Sequence, residues 1–218
     1  NKYTLESTGT ASDNLTITGK SDPPPDVTSL VLAQDEYNRA NIVLTWVPLD
    51  QTTTPDLKGY ETRLGDTWLT AIKINTDTIV GNSFSHAISK NGNYIFLVKA
   101  IDNSGNYSAN AISKNITVNV VPDAVTNLVA IQGPRDRSMV KVTWTASPGK
   151  DIAGYELRYG NDWASSIPIN TVKESTYWWY IPSSGTYNIM VQARTVAGYV
   201  SNISNVSITA MIEAYDVT

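Results

Sequence analysis

Short runs in which apolar and polar residues alternate dominate this chain. In residues 42–46 and 140–144, every second residue is a large apolar side chain. Successive side chains of a strand point to opposite faces, so each run would present one apolar face. Such runs recur at spacings of about 8–12 residues and are separated by clusters of Gly, Pro, Asn, Asp and Ser, a pattern typical of β-sandwiches. The pattern predicts an all-β protein without amphipathic helices.

The chain carries this pattern twice. The sequence Gly-Tyr-Glu-Thr-Arg-Leu-Gly at 59–65, followed by Trp68, recurs as Gly-Tyr-Glu-Leu-Arg-Tyr-Gly at 154–160, followed by Trp163. An internal repeat indicates that each copy is a folding unit with its own core. Side chains present in both copies are therefore explained first by the fold. The repeat predicts one domain over residues 23–121 and a second over residues 122–212.

The remaining residues lie at the two ends. Residues 1–22 are expected to be the trailing strands of a preceding domain and include a possible hairpin over 2–19. Residues 213–218 are expected to be a tail toward a following segment. Between the copies, strand residues run directly into Pro122, whose ring fixes one torsion. This short linker predicts a semi-rigid pair of modules.

Composition excludes several classes of partner. The chain has 218 residues, no cysteine, 17% charged residues and a net charge of −4. Without cysteine no disulfide stabilises the cores. The absence of a basic stripe argues against nucleic-acid binding. No apolar run approaches the length that crosses a bilayer, so no membrane span is predicted.

Catalytic chemistry finds little support in the sequence. The chain has one histidine, His86, and no cysteine nucleophile, so neither a histidine metal site nor a cysteine protease-like pair can form. Asp50, Asp56 and Glu61 cluster near one loop of the first copy, but Glu61 recurs as Glu156, which favours a structural role. A calcium site would need several carboxylates alternating within one loop. We therefore predict no enzyme activity, no metal and no cofactor.

Both copies resemble the fibronectin type III family over about residues 24–210. The matching positions are a Trp closing the second strand, a Tyr in the third, a Tyr-x-x-x-Val-x-Ala strand and a following Gly turn: Trp46 and Trp144, Tyr60 and Tyr155, Tyr94 and Tyr187, Gly105 and Gly198. The resemblance implies two tandem fibronectin type III (immunoglobulin-like) β-sandwiches, with the late tyrosine bonded to backbone at a corner. The tryptophans and tyrosines named here are expected to form the structural core.

A narrower resemblance points to one function. The motif from Gly154 to Trp163, and the residues 16–24 before the first copy, look like the modules of host-specificity (tip attachment) proteins of lambda-like phage tails. That resemblance implies a non-catalytic spacer of a homo-oligomeric tail-tip protein in the virion. Its partners would be other tail-tip proteins or a bacterial surface receptor or glycan.

Two other functions remain open. Tandem modules of this class also occur as accessory segments of secreted bacterial polysaccharide-degrading enzymes and in bacterial surface adhesins. Either alternative would place the protein in the secreted or cell-surface fraction. Flanking sequence would separate them: a baseplate-like region, a catalytic domain or a wall-anchoring tail.

The best binding candidate is the aromatic run at 177–180, which corresponds to residues 84–87 in the first copy. On a strand, these four side chains must divide between two faces. If Tyr177 and Trp179 face the core, then Trp178 and Tyr180 point outward. Exposed Trp and Tyr suit sugar stacking or protein contact. The structural alternative is packing against a neighbouring sheet or domain.

The loops supply one further candidate. Tyr199 lies in the late loop of the second copy, which fibronectin-type binders often use, so it is a candidate binding residue. Residues 135–137, Arg-Asp-Arg, are most simply a solvated turn because the glycine of an Arg-Gly-Asp motif is missing.

Overall fold

The computed structural model describes residues 22–212, and every regular element in that range is a strand. The predicted hairpin over 2–19 and the tail at 213–218 lie outside the described residues. No helix that could cross a membrane is present in the described part of the chain. The strands are β1 (Thr28–Asp35), β2 (Asn38–Val47), β3 (Leu57–Leu64), β4 (Ile72–Lys73), β5 (Ser83–Ala87), β6 (Gly92–Asp102), β7 (Ile112–Val118), β8 (Thr126–Gln132), β9 (Met139–Thr145), β10 (Ile152–Tyr159), β11 (Ile167–Val172), β12 (Thr176–Tyr180), β13 (Gly185–Thr195) and β14 (Ser204–Ala210).

These strands form two sandwiches with the same topology. In the first, a sheet of order β1-β2-β5 faces a sheet of order β4-β3-β6-β7; in the second, β8-β9-β12 faces β11-β10-β13-β14. This three-plus-four arrangement is the fibronectin type III sandwich. The predicted fold class, two tandem all-β sandwiches of this type, is confirmed. The boundary between residues 121 and 122 stays a prediction.

The core of the first sandwich follows from the alternation in β2. Ile42, Leu44 and Trp46 are all buried, because the period of two puts them on the inward face. The Trp46 ring meets Tyr60 of β3 edge to face, with ring centroids 5.2 Å apart. Edge-to-face aromatic pairs of this kind add stability beyond their buried area.

The second sandwich repeats this pair and adds an aromatic cluster. Trp144 meets Tyr155 with ring centroids 5.3 Å apart. The rings of Tyr159, Trp179 and Tyr187 pack on one another with centroids 4.8–5.6 Å apart. The inward half of the aromatic run at 177–180 is therefore part of the core.

The late tyrosines bond back to backbone as the resemblance implied. Tyr94 Oη donates to the Lys90 carbonyl at 2.8 Å, and Tyr187 Oη donates to the Ser183 carbonyl at 2.6 Å. Their burial differs, however: Tyr187 is buried, whereas Tyr94, also expected in the core, is only half-buried. In the first copy the positions of Trp179 and Tyr159 hold the smaller His86 and Leu64, so the two large rings that pack on Tyr187 have no counterpart of equal size in the first sandwich.

The repeated Gly-Tyr-Glu-x-Arg motif forms a salt-bridged cluster beside β3. Arg63 Nε donates to Glu61 Oε1 at 2.7 Å, Arg63 Nη1 donates to the Trp68 carbonyl at 2.6 Å, and the guanidinium lies 4.2 Å from the Trp68 ring centroid. The second copy makes the same three contacts with Arg158, Glu156 and Trp163. Because both copies share the cluster, it explains the motif structurally.

Candidate functional site

The aromatic run at 177–180 divides between the two faces of β12. Trp179 is buried, while Trp178 is 45% exposed and Tyr180 is 65% exposed. The strand lies at the edge of the sheet β8-β9-β12, and its alternate residues point to opposite faces. Because Trp179 packs into the core cluster, its neighbours Trp178 and Tyr180 must face away from the core.

The pairing of β8, β9 and β12 places specific residues beside these two rings. Trp178 pairs with Lys141 of β9, which pairs in turn with Ile131 of β8, and Tyr180 pairs with Met139. Lys141 Nζ lies 5.7 Å from the Trp178 ring centroid, within the range of a cation–π contact. Ile131 is 61% exposed. We call these five residues, Ile131, Met139, Lys141, Trp178 and Tyr180, the aromatic face.

A concavity adjoins the aromatic face. It has a volume of about 430 Å³, opens to solvent and is bordered by Trp178, Met139 and residues 133–136. Most of its accessible lining is apolar even though Arg135 and Asp136 border it. An apolar hollow with a few polar groups at its rim is the usual form of a small-ligand site.

The loop that borders the concavity is closed by its own hydrogen bonds. The Gly133 N–H donates to the Met139 carbonyl at 2.7 Å, and the Met139 N–H donates to the Asp136 carbonyl at 3.2 Å. Gln132 Nε2 also donates to the Arg137 carbonyl. Because these bonds fix both ends of the loop, the concavity exists before any ligand binds, which lowers the ordering cost of binding.

Arg135 and Asp136 border the concavity, and Lys141 lies against the Trp178 ring. Asp136 Oδ1 accepts hydrogen bonds from the Ser138 N–H and from Ser138 Oγ. Within residues 22–212, neither Arg135 nor Lys141 takes part in an ion pair. Two cationic donors are therefore available beside an exposed indole.

The structure does not bring Tyr199 to this face. Tyr199 is half-buried in the loop after β13, where its N–H donates to Thr195 Oγ1 at 3.1 Å. That loop meets the chain leaving β9, since the Val196 N–H donates to the Asp151 carbonyl. The concavity lies beside the loop that enters β9. Tyr199 and the aromatic face thus lie at opposite ends of the strands, and Tyr199 belongs to a different surface.

The first sandwich presents a different outward face. At the positions of Trp178 and Tyr180 it has Ser85 and Ala87, and at those of Lys141 and Ile131 it has Val43 and Ala33. Ser85, Ala87 and Ala33 are exposed, and Val43 is half-buried. The aromatic face is therefore a property of the second sandwich and is not required by the fold.

The carboxylates of the first sandwich have structural partners. Asp50 accepts from the Thr52 N–H and Oγ1 at 2.8 Å within one turn. Glu61 is held by Arg63, by Lys73 at 3.2 Å and by the Tyr107 hydroxyl at 2.7 Å. Burial would raise the pKa of Glu61, but the hydrogen bonds from Tyr107, Arg63 and Lys73 outweigh it and hold that pKa below its usual range.

No metal centre is apparent in the described part of the chain. Groups of three or more His, Asp or Glu side chains close enough to hold an ion do not occur among residues 22–212. Asp50 lies in the loop after β2, whereas Glu61 lies within β3 among cationic partners. Asp50 and Glu61, two members of the cluster noted in the sequence, thus belong to separate local networks.

Comparison with known proteins gives one curated relative. The chain is 29% identical over 200 residues to Chitinase A1 of Niallia circulans, a match that covers 86% of this chain and 27% of that protein. The chain thus spans about a quarter of the relative's length. No family model matches the chain.

Two similar solved structures contain fibronectin type III domains. The chain is 21% identical to the protein in "Structure of FN3tt mut", with a TM-score of 0.36, over 41% of this chain and 96% of that chain. It is 19% identical to the FN1–FN3 domains of chicken CNTN1, with a TM-score of 0.38, over 88% of this chain and 69% of that chain. None of the relatives named here is described as a phage tail protein.

Sequence reasoning named Trp178 and Tyr180 but missed their surroundings. Met139 and Lys141 lie at the outward positions of β9, so the alternation that places Val140 and Val142 inside could have identified them. Identifying Ile131 as part of the aromatic face requires the register between β8 and β9. Residues 135–137, interpreted as a solvated turn, are exposed, and Arg135 and Asp136 also border the concavity beside Trp178.

Proposed function

We propose that this chain is a non-catalytic accessory segment of a secreted bacterial enzyme that degrades polysaccharide. The observation that carries the proposal is the 200-residue similarity to Chitinase A1, which extends across both sandwiches. A protein named as a chitinase acts on an insoluble polymer, and an enzyme of that kind benefits from modules that hold it near its substrate. The two sandwiches would act as a spacer, and the second would present a surface to the polymer.

The local chemistry supports a non-catalytic role. Retaining and inverting glycoside hydrolases generally use two carboxyl groups that flank the scissile bond. In the first sandwich, Glu61 is held by Arg63, Lys73 and Tyr107 and has a lowered pKa. A general acid needs the opposite shift, toward a higher pKa. Glu61 is therefore suited to a structural role.

A second candidate is the phage tail-tip spacer. It is favoured by the motif from Gly154 to Trp163 and by residues 16–24. The structure offers a structural explanation for the first of these, since Arg158 binds both Glu156 and Trp163. We favour the enzyme accessory because the similarity to Chitinase A1 covers 86% of this chain.

The test is to identify the parent protein in the source culture. An antibody raised against residues 24–210 is used on culture supernatant, on the cell-wall fraction and on purified particles after induction. Our proposal expects a band well above 23.8 kDa in the supernatant, which co-purifies with polysaccharide-degrading activity. A band confined to intact phage particles would instead establish the tail-tip role.

A direct test of the accessory role uses the parent enzyme with and without these two modules. Deletion should slow the hydrolysis of insoluble polymer and leave the hydrolysis of soluble oligosaccharides unchanged, because only the insoluble substrate requires the enzyme to be held at a surface. Equal rates on the insoluble polymer would contradict the proposal.

A further inference from the structure

We propose that the aromatic face and its adjoining concavity bind chitin, a β-linked polymer of N-acetylglucosamine. This inference rests on the proposed function, to which it adds the binding site and the chemical class of the ligand. It is carried by three features of the second sandwich: two exposed rings on one strand, an apolar hollow beside one of them, and two cations, Arg135 at the rim of the hollow and Lys141 against the Trp178 ring.

The two rings suit an extended sugar chain. Trp178 and Tyr180 are alternate residues of β12, so their Cα atoms lie roughly 7 Å apart along the strand, a distance of the order of one sugar unit. An aromatic ring is electron-rich on its face. The C–H groups on the flat side of a pyranose are weakly positive and therefore stack on such a face. Successive sugars of a flat β-linked chain could each meet one ring.

The concavity suits the acetamido substituent. Its lining is mainly apolar and includes Pro134, Met139 and Trp178, which fits a methyl group. Arg135 borders the same hollow and can donate hydrogen bonds to the acetamido carbonyl. A plain glucan has no group that would use both the hollow and this donor, so N-acetylglucosamine is favoured over glucose.

The charge of the face also restricts the ligand. Lys141 lies against the Trp178 ring, and Arg135 lies at the rim of the concavity. These cations favour a ligand rich in oxygen acceptors and disfavour one that carries ammonium groups, such as a deacetylated chitin. An acidic polymer without N-acetyl groups would gain from the charges but would leave the apolar hollow unfilled. The acetylated, uncharged polymer uses all three features together.

The experiment measures depletion of the 218-residue chain from solution by insoluble chitin. Cellulose, deacetylated chitin and peptidoglycan serve as comparison polymers. We expect the chain to bind chitin best. Trp178→Ala should weaken binding about tenfold, the upper end of what one aromatic contact contributes, and Tyr180→Ala should weaken it less because its ring does not border the concavity. Arg135→Ala should reduce the preference for chitin over cellulose.

A matched control separates this face from general aromatic adsorption. Tyr37, in the first sandwich, is 62% exposed, so Tyr37→Ala removes a similar exposed ring elsewhere. It should leave chitin binding unchanged. Trp178→Phe should restore part of the binding that Trp178→Ala loses. Thermal melts of every variant establish that the sandwiches remain folded.

Several results would overturn the inference. They are equal chitin binding by Trp178→Ala and the unchanged chain, no chitin binding at all, or stronger binding to peptidoglycan. Self-association that Trp178→Ala abolishes, without chitin binding, would assign the face to a second copy and also overturn it. None of these results changes which culture fraction holds the parent protein, so failure of this inference is distinguishable from failure of the proposed function.

Discussion

The two sandwiches share their inward residues and differ on one outward face. Trp46 with Tyr60, and Trp144 with Tyr155, make the same edge-to-face pair at nearly the same distance. On the outer side of the three-stranded sheet, by contrast, Trp178 stands where the first copy has Ser85. Packing constrains the inward positions because interiors are close-packed. Outward positions are free of that constraint, so the shared fold does not account for the difference there.

The cores also differ, although less. The second sandwich packs Tyr159, Trp179 and Tyr187 together. At the corresponding positions the first has Leu64, His86 and Tyr94. Larger aromatic groups bury more apolar area and stabilise the fold accordingly. We expect the second sandwich to be the more stable of the two.

The largest effect should come from the shared tryptophans. Trp46→Ala and Trp144→Ala each remove a buried ring and leave a cavity, so each should lower the free energy of unfolding of its own sandwich by about 3–5 kcal/mol. Chemical denaturation monitored by circular dichroism, with calorimetry to resolve two transitions, measures this. If either substitution lowered both transitions equally, the sandwiches would not be separate folding units.

The next effect tests backbone constraints that both copies share. Gly65 and Gly160 have φ values of 145° and 149°, a region that other residues rarely adopt. A Cβ at Gly65 would lie 2.8 Å from Ala71 Cα, and one at Gly160 would lie 3.0 Å from Ser166 Cα. Gly65→Ala and Gly160→Ala should each cost about 1–3 kcal/mol, as measured by denaturant melts. A clearly smaller cost at either position would show that the two turns are not equivalent.

Much of the fold was accessible from the sequence because it depends on local periodicity and on the repeat. Alternation alone places Val140 and Val142 on the inward face of their strand and Lys141 on the outward face. It likewise places Trp178 on the outward face once Trp179 is assigned to the core. The repeat then relates each of these residues to a position in the first copy. Such inferences need no knowledge of which strands are neighbours.

The site was less accessible because it depends on contacts between distant residues. Lys141 lies beside Trp178 only through the register of β9 and β12. The hollow beside Trp178 exists because hydrogen bonds close the loop between Gly133 and Met139, which no sequence motif announces. Tyr94 was expected in the core but is only half-buried, and the positions that correspond to the aromatic neighbours of Tyr187 hold the smaller His86 and Leu64 in the first copy.

An effect of intermediate size is expected in the pH dependence of stability, which should differ between the two sandwiches. Glu61 has a folded-state pKa below its usual range because Tyr107, Arg63 and Lys73 bond to its charged form. Its contribution to stability is therefore complete above the unfolded pKa of about 4.3 and is lost as the pH falls through the lower folded value. Between pH 6 and pH 3, the free energy of unfolding of the first sandwich should fall by about 1–2 kcal/mol more in the unchanged chain than in the Glu61→Gln variant.

The matched change in the second copy is the control. The Glu156 side chain is 20% exposed against 5% for Glu61, so Glu156→Gln should destabilise its sandwich less at pH 7 than Glu61→Gln does. The free energies of unfolding of both variants at pH 7 and pH 3 provide the comparison. An identical acid dependence of the first sandwich in Glu61→Gln and the unchanged chain would contradict the assignment.

The smallest effect is expected at the aromatic face itself. Trp178 is 45% exposed, so Trp178→Ala should cost less than about 1 kcal/mol, within the range of surface substitutions that lose some packing. Its neighbour Trp179 packs on Tyr159 and Tyr187, and Trp179→Ala should cost about 3–5 kcal/mol. The stability costs of the two substitutions, measured by denaturant melts, would then differ severalfold although the tryptophans are adjacent in sequence. A loss of several kcal/mol in Trp178→Ala would mean that its ring is part of the packing, and the difference between the two sandwiches would then be one of stability and not of binding.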